Sequence, residues 1–209
     1  MKGLISGFKR SLLLGFVVML ILTGCAKQPA QEMGDAQKSV EDAKAAGSAK
    51  YLADDTKKAD DSLAAALDEV KAQDNKFALF RNYDKSKQML SQARADAETL
   101  KTNTMAKKEE AKKNAIAGQG AAKASIDEAK GLLAKAPKGK GSKADIEAMA
   151  GDLKALEDSL PELEQMIGKE DYLPAIDKAK TIKEKADGVA NQVKEAMEKV
   201  KAKKGGKKK

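Results

Sequence analysis

Residues 146–167 read IEAMAGDLKALEDSLPELEQMI. Ile146, Met149, Leu153, Leu156, Leu160, Leu163 and Ile167 recur at alternating steps of three and four. On an α-helix those steps put all seven on one stripe, the pattern of a helix that packs along a partner helix. Pro161 interrupts the run, and Ser159 with Glu162 three residues later has the form of a capping box, so a kink or restart is predicted there. Burying a Leu or Ile fully stabilises by about 1.5–3 kcal/mol, which makes this seam the strongest local source of stability in the chain.

The partner follows directly. Gly168 and Asp171 mark a turn, and from Tyr172 to Val200 the residues Ile176, Ala179, Ile182, Ala186, Val189, Val193 and Val200 share one side of a helix. A short turn between two such helices predicts an antiparallel hairpin. The segment Gly168-Lys-Glu-Asp-Tyr-Leu-Pro-Ala175, with Ala179, resembles the tight turn of tetratricopeptide-type hairpins.

The same periodicity runs back to Asp35. Asp35 is placed as the cap of a first helix carrying Ala36, Val40 and Ala43, ended by Gly47 and Ser48. A second helix is predicted from Asp54 and Asp55, carboxylates suited to a positive N-terminal dipole, with Leu52, Thr56, Ala59, Leu63, Leu67 and Val70 on one face. After a turn at Gln73–Lys76, a long helix is predicted over Phe77–Ala117 with Tyr83, Ser86, Leu90, Ala93, Ala97, Leu100 and Thr104 inward. Its end, Met105–Ala117, is rich in lysine and has little apolar face, so it is expected to be exposed or frayed. Phe77, Phe80 and Tyr83 read as the plug that closes a hairpin, in preference to a ligand-stacking cluster. Gly118-Gln119-Gly120 is taken as the boundary between two halves, followed by a helix over 121–136 and a flexible basic loop over Pro137–Ser142. Gly139 and Gly141 in that loop lack the spacing and preceding strand of a phosphate-binding loop.

The halves resemble each other. Ala36-Gln-Lys-Ser-Val-Glu-Asp-Ala-Lys44 aligns with Ala122-Lys-Ala-Ser-Ile-Asp-Glu-Ala-Lys130, a shift of 86, and Tyr83-Asp-Lys-Ser-Lys87 aligns with Ile176-Asp-Lys-Ala-Lys180, a shift of 93. The expected fold is all-α: antiparallel long helical hairpins in two repeated units, 35–117 and 118–198, with tetratricopeptide-like or coiled-coil-like packing. Each unit is a short helix followed by a long hairpin.

The N-terminus has a different character. Lys2, Lys9 and Arg10 precede an apolar run of 12 residues, Ser11–Leu22, and then Leu22-Thr23-Gly24-Cys25. A membrane-spanning helix needs about 20 apolar residues, so residues 1–24 read as a secretory signal peptide. Leu22-Thr23-Gly24-Cys25 resembles the cleavage and acylation box of bacterial lipoproteins. The resemblance implies that Cys25, the single cysteine, becomes the first mature residue. It would carry a diacylglyceryl group on its sulfur and, in most cases, an acyl chain such as palmitate on its amine. One acyl chain holds a protein only reversibly; two or more anchor it stably. Ala26, rather than Asp, follows the cysteine, which by resemblance to enterobacterial lipoproteins implies the outer membrane, with the body facing the periplasm. Residues 25–34 are then a lipidated linker, in which Pro29 and Gly34 argue against helix. The region 35–105 also resembles a family of Ala-rich helical envelope lipoproteins, some of which carry a following peptidoglycan-binding domain; here only a Lys-rich tail follows.

That tail, residues 199–209, concentrates the net charge. Of 40 basic residues three precede Cys25 and seven are Lys199, Lys201, Lys203, Lys204, Lys207, Lys208 and Lys209, which leaves 30 against 32 acidic residues in the body. A nucleic-acid binder spreads positive charge over a folded face, so nucleic acid is not the expected partner. The tail is expected to be disordered, and either attracts anionic polymers such as lipopolysaccharide or peptidoglycan or serves as a solubilising end. By resemblance to the lipoprotein bound covalently to peptidoglycan, Lys209 is a candidate attachment point.

Catalytic chemistry finds no foothold. The chain has no histidine, the usual general base near neutral pH. Asp54-Asp55, Asp60-Asp61 and Glu109-Glu110 are adjacent on helices and point to different faces, unlike the facing carboxylates of a glycosidase. No metal-ligand cluster or nucleophile elbow is present, and no cofactor is implied beyond the covalent lipid. The expected function is a non-enzymatic, lipid-anchored scaffold or tether of the envelope. The alternative is a tetratricopeptide-like module that binds a partner protein or peptide, and the Ile146–Ile167 seam leaves self-association open.

Overall fold

The computed structural model describes residues 26–136 and 143–205. All regular structure among the described residues is helical: α1 (Ala30–Ala45), a single turn α2 (Ser48–Tyr51), α3 (Ala53–Asp74), a 3-10 turn (Ala78–Phe80), α4 (Asp84–Ala134), α5 (Lys143–Asp158), α6 (Leu160–Gly168) and α7 (Tyr172–Gly205). The chain divides into two compact units at Ala106/Lys107. Helix α4 supplies its residues up to Ala106 to the first and those from Lys107 to the second.

The first unit is an up-down-up bundle of α1, α3 and the start of α4. Its directions are legible in the polar contacts. Arg94–Asp35 and Lys101–Asp42 have the same separation of 59 residues, so α1 and α4 run parallel. Lys44–Asp60 and Gln28–Asp74 move in opposite senses along α1 and α3, which are therefore antiparallel. The core is Ala36, Val40, Ala43, Ala59, Ala66, Val70, Tyr83, Leu90, Ala93, Ala97 and Leu100, with Ser86 and Thr104 buried beside it. Both hydroxyls are satisfied locally, Ser86 Oγ donating to the carbonyl of Tyr83, just before α4, at 2.9 Å and Thr104 Oγ1 to that of Leu100 at 2.7 Å.

The second unit repeats the plan with the rest of α4, the α5–α6 rod and α7. Lys130–Glu157 and Lys123–Glu164 set α4 antiparallel to α5–α6. Lys178–Glu162 near the turn and Leu153 with Val189 and Val193 farther out set α7 antiparallel to α5–α6. The predicted seam closes within the chain: Leu153 packs with Ala129, Ala136, Val189, Ala190 and Val193, flanked by Ile146, Met149 and Leu156. Leu163 is fully buried as well.

The two units match position by position in their third helices. From Tyr83 the buried residues fall at Ser86, Leu90, Ala93, Ala97, Leu100 and Thr104; from Tyr172 they fall at Ala175, Ala179, Ile182, Ala186, Val189 and Val193, with the same steps throughout. Ala36, Val40 and Ala43 match Ala122, Ile126 and Ala129 in the same way, all six buried. The first helices keep the expected shift of 86, but the third helices align Tyr83 with Tyr172 rather than with Ile176. Buried small residues determine the register here, not the surface Asp-Lys pairs that suggested the longer shift. Within each unit the packing is coiled-coil-like, three helices around a narrow core.

Several boundaries differ from the sequence reading. Helix α1 begins at Ala30, with Pro29 as its N-cap and the Met33 amide donating to the Pro29 carbonyl at 3.0 Å. Proline fixes φ and is tolerated at a helix start, where an N–H has no intrahelical acceptor. Gly34 lies inside this helix, a cost of about 1 kcal/mol relative to alanine that the packing of Met33 and Ala36 on the core overrides. Ser159 is not a cap: its backbone is helical and its Oγ donates to the Leu156 carbonyl at 2.6 Å, while Glu162 pairs with Lys178. At the α6–α7 turn Glu170 takes a left-handed φ of 62°. The Asp171 amide donates to the Met166 carbonyl and the Glu170 amide to that of Ile167, a Schellman closure that leaves Glu170 facing Lys108. The loop expected at Pro137–Ser142 lies outside the described residues.

The largest correction concerns Met105–Gly120. This stretch is helical throughout and Gly118-Gln119-Gly120 is not a boundary; most of Met105–Ala117 is exposed, as expected, but it is not frayed. Ala111 and Ala115 are buried, and a methyl group added at Gly118 would lie 3.1 Å from the Ala179 Cβ. Gly118 is thus a point of close helix approach, whereas Gly120 faces open space. Gly120→Ala is therefore expected to stabilise the protein by about 0.4–1 kcal/mol. Gly118→Leu is expected to destabilise it by about 1–3 kcal/mol through overpacking. Urea unfolding followed by circular dichroism measures both, and equal tolerance at the two sites would contradict the close approach.

Candidate functional site at the connector end of the first unit

Three things meet at one end of the first unit: the connector leading in from Cys25, the end of α3, and the loop to α4. Asp74, the last residue of α3, joins them. Its carboxylate accepts from Tyr83 Oη at 2.5 Å and from Gln28 Nε2 at 2.7 Å. Its carbonyl accepts from Arg81 Nη2 at 2.8 Å, and Arg81 Nε donates to the Lys76 carbonyl at 3.0 Å. One residue thereby ties the connector to the elbow that follows it.

A second set of bonds braces the elbow from the α3 side. Gln73 is buried; its Oε1 accepts from the Asn82 amide at 3.2 Å and its Nε2 donates to Glu69 at 2.8 Å. Lys85 reaches the other Glu69 oxygen at 2.8 Å. Asn82 accepts from the Asp84 amide at 2.7 Å and so caps the start of α4. The Lys85 ammonium, and then the Gln73 amide, hold the Glu69 carboxyl below its ordinary range. A depressed carboxyl stabilises the fold above its unfolded pKa, and that contribution is lost as pH falls through the folded value. For Tyr83 the donated hydrogen bond to Asp74, with desolvation behind it, pushes the phenol above 10.0.

The braced elbow turns its apolar side chains outward. Phe77, Leu79 and Phe80 are 69%, 53% and 75% exposed, and the two rings stand tilted with centroids 6.3 Å apart. Of the expected aromatic plug only Tyr83 is buried. The 3-10 turn at Ala78–Phe80 is too short to have an inward face, so its side chains find no helix to pack on. The sequence does carry a signal that this reasoning missed: Phe77-Ala-Leu-Phe80 places three large apolar residues in four positions, out of helical register.

Elsewhere the surface offers little chemistry. One shallow groove lies between the second and third helices of each unit. Asp96, Thr99, Leu100 and Asn103 line one, and the matching Lys185, Gly188, Val189 and Gln192 line the other. Among the described residues no cluster of three or more His, Cys, Asp or Glu could hold a metal ion, and no helix is long and apolar enough to cross a membrane.

Of the residues singled out in the sequence, Cys25 lies outside the described residues, as do Lys207, Lys208 and Lys209. Lys199 is exposed on α7, and the same helix continues through Lys201, Lys203 and Lys204 to Gly205. The tail is thus helical up to Gly205, where disorder was expected from Lys199 on. Lysine is a good helix former, and the helix is already nucleated by the packed residues before it.

Comparison of the chain with protein-family models, curated proteins and solved structures yields no match.

The elbow has a spectroscopic signature. Because the neutral phenol is favoured in the folded state, its contribution to stability is present below the unfolded value of about 10 and is lost as pH rises through the higher folded value. Phenolate absorbance during an alkaline titration should resolve a step above the ordinary tyrosine value that belongs to Tyr83. Tyr83→Phe should remove that step, and Asp74→Asn should move it down.

Proposed function

We infer that this protein is a lipid-anchored, non-enzymatic spacer of the bacterial envelope, held by Cys25 in the outer membrane with its helical units in the periplasm. The observation that carries this reading is the run Ser11–Leu22 followed by Leu22-Thr23-Gly24-Cys25, with the single cysteine of the chain at the position that lipoproteins acylate. Two further features support it. Packed structure begins at Pro29, which is buried, so only Ala26, Lys27 and Gln28 separate the anchor residue from the fold. Many charged groups on the helices form ion pairs between exposed side chains, each worth about 0–1 kcal/mol, which suit solvated helical surfaces rather than a reactive centre.

The Lys-rich end supplies the second attachment. Lys199, Lys201, Lys203 and Lys204 continue α7, and Lys207, Lys208 and Lys209 extend the charge. Such a cluster attracts phosphate- or carboxylate-bearing polymers, lipopolysaccharide or peptidoglycan, at about 1 kcal/mol per charge near an anionic surface. The anchor fixes the address, and the basic end links it to the material beyond.

Metabolic labelling with a clickable fatty acid tests the anchor. The wild-type chain is expected to take the label and fractionate with the outer membrane, and Cys25→Ser is expected to do neither. An unlabelled wild-type protein recovered from the cytosol would defeat the reading. For the basic end, co-sedimentation with purified peptidoglycan should fall steeply with salt and be lost on deletion of residues 199–209. Retention without those residues would assign the attachment elsewhere.

A further inference from the structure

We propose that Phe77, Leu79 and Phe80 form a second membrane contact, lying in the headgroup–acyl boundary of the phospholipid bilayer that holds the lipid anchor. The proposal rests on the lipid-anchored reading and adds an orientation to it: the first unit stands with its elbow end on the bilayer. The observations come from one end of one bundle. Phe77, Leu79 and Phe80 are half of the large apolar side chains exposed among the described residues; the others, Met105, Ile116 and Leu173, stand singly on helices. Scattered exposed residues are ordinary, whereas a cluster marks a contact surface.

The cluster is also held in place. Asp74 and Arg81 fasten the backbone on both sides of the 3-10 turn, and Asn82 and Gln73 fasten the exit into α4. A preorganised loop gives up little freedom when it docks. The occupant follows from where the chain comes from. Gln28 is bonded to Asp74, and Ala26 and Lys27 share a concavity with Arg81, Tyr83 and Lys87. The residue before Ala26 is Cys25. A lipid on that residue leaves the elbow only a few residues from the bilayer, closer than any soluble partner is obliged to come. The rim carries Lys27, Lys76, Arg81 and Lys87 against the carboxylates of Asp74 and Asp84, with Lys85 paired to Glu69 beside them, a positive excess suited to anionic headgroups. Phe and Leu side chains flanked by Lys and Arg are the combination that interfacial segments bury at the headgroup–acyl boundary.

The chain has no tryptophan, so Phe80→Trp introduces a single reporter. Met105→Trp, also exposed and about 30 Å along α4 from the elbow, is the control. Each full-length acylated protein is reconstituted into phosphatidylglycerol–phosphatidylcholine vesicles with or without a shallow nitroxide lipid, and acylation is verified by intact mass. The indole at position 80 is expected to emit at shorter wavelength and lose intensity to the nitroxide, while that at position 105 does neither. Phe77→Ser and Leu79→Ser, added to Phe80→Trp, are expected to restore a water-like, unquenched spectrum. An acylated protein whose position-80 indole stays water-exposed and unquenched overturns the proposal. A blue shift that depends on protein concentration and ignores the nitroxide also overturns it, in favour of contact between copies. A missing acyl mass refutes the anchor reading alone. Vesicles added to that unacylated protein then test the patch directly, with nitroxide quenching at position 80 supporting it and none refuting it.

Discussion

Close approach of helices through alanine is the constraint on which both units depend. Ala36, Ala43, Ala59, Ala66, Ala93 and Ala97 are buried in the first unit, and Ala111, Ala115, Ala122, Ala129, Ala175, Ala179, Ala186 and Ala190 in the second. Alanine loses no side-chain entropy on folding and is the best helix former, but it removes little apolar surface from water. Each core therefore leans on a few larger side chains: Val70, Leu90 and Leu100 in one, Ile126, Leu153, Leu163 and Ile182 in the other. Close packing has to be maintained over the whole length of each helix for so thin a core to hold. Gly118 against Ala179 shows how little room remains.

Register follows from the same geometry. A narrow stripe of small residues can slide by a turn at modest cost, so the ion pairs that flank it have a role beyond their small individual energies. Arg94–Asp35 and Lys101–Asp42 lock α1 to α4 at one separation, and Lys130–Glu157 and Lys123–Glu164 lock α4 to α5–α6. These pairs are exposed and screened by salt. Their contribution is to make one alignment better than its neighbours. The elbow at Asp74 differs in kind, because Tyr83 is buried and its hydroxyl must have an acceptor. That requirement fixes the connector, the end of α3 and the start of α4 together, and it leaves Phe77, Leu79 and Phe80 no inward place.

Much of this was legible in the chain. The buried residues from Tyr83 to Thr104 follow helical periodicity without exception, as do Ala36, Val40 and Ala43, because a stripe of small residues between lysines and acids has one way to face a core. The α6–α7 turn was visible, although its left-handed residue is Glu170 and not a glycine. On the second helix Leu67 packs against the core as expected, and Ala66, which the periodicity did not single out, is fully buried beside it because a tight approach admits the methyl group. Gly118-Gln119-Gly120 was misread because glycine in sequence signals a break, whereas glycine in a packed helix can signal contact. Of the candidate site, Tyr83 was identified, but the outward turn of Phe77 and Phe80 was not, since whether an aromatic residue plugs or protrudes depends on what lies beneath it.

By itself the sequence determined an all-helical protein, two matching sets of inward stripes, a near-neutral body between an apolar N-terminal run and a basic end, and a single cysteine just after that run. These are properties of residue order and type, set by the 3.6-residue period and by where charge is placed. Only the tertiary structure decided that α4 runs unbroken through both units, that the seam from Ile146 to Ile167 closes within its own chain, and that three apolar residues at the elbow are left to solvent. Those outcomes depend on which surfaces meet and how closely, and local propensity does not encode the distance between two helices.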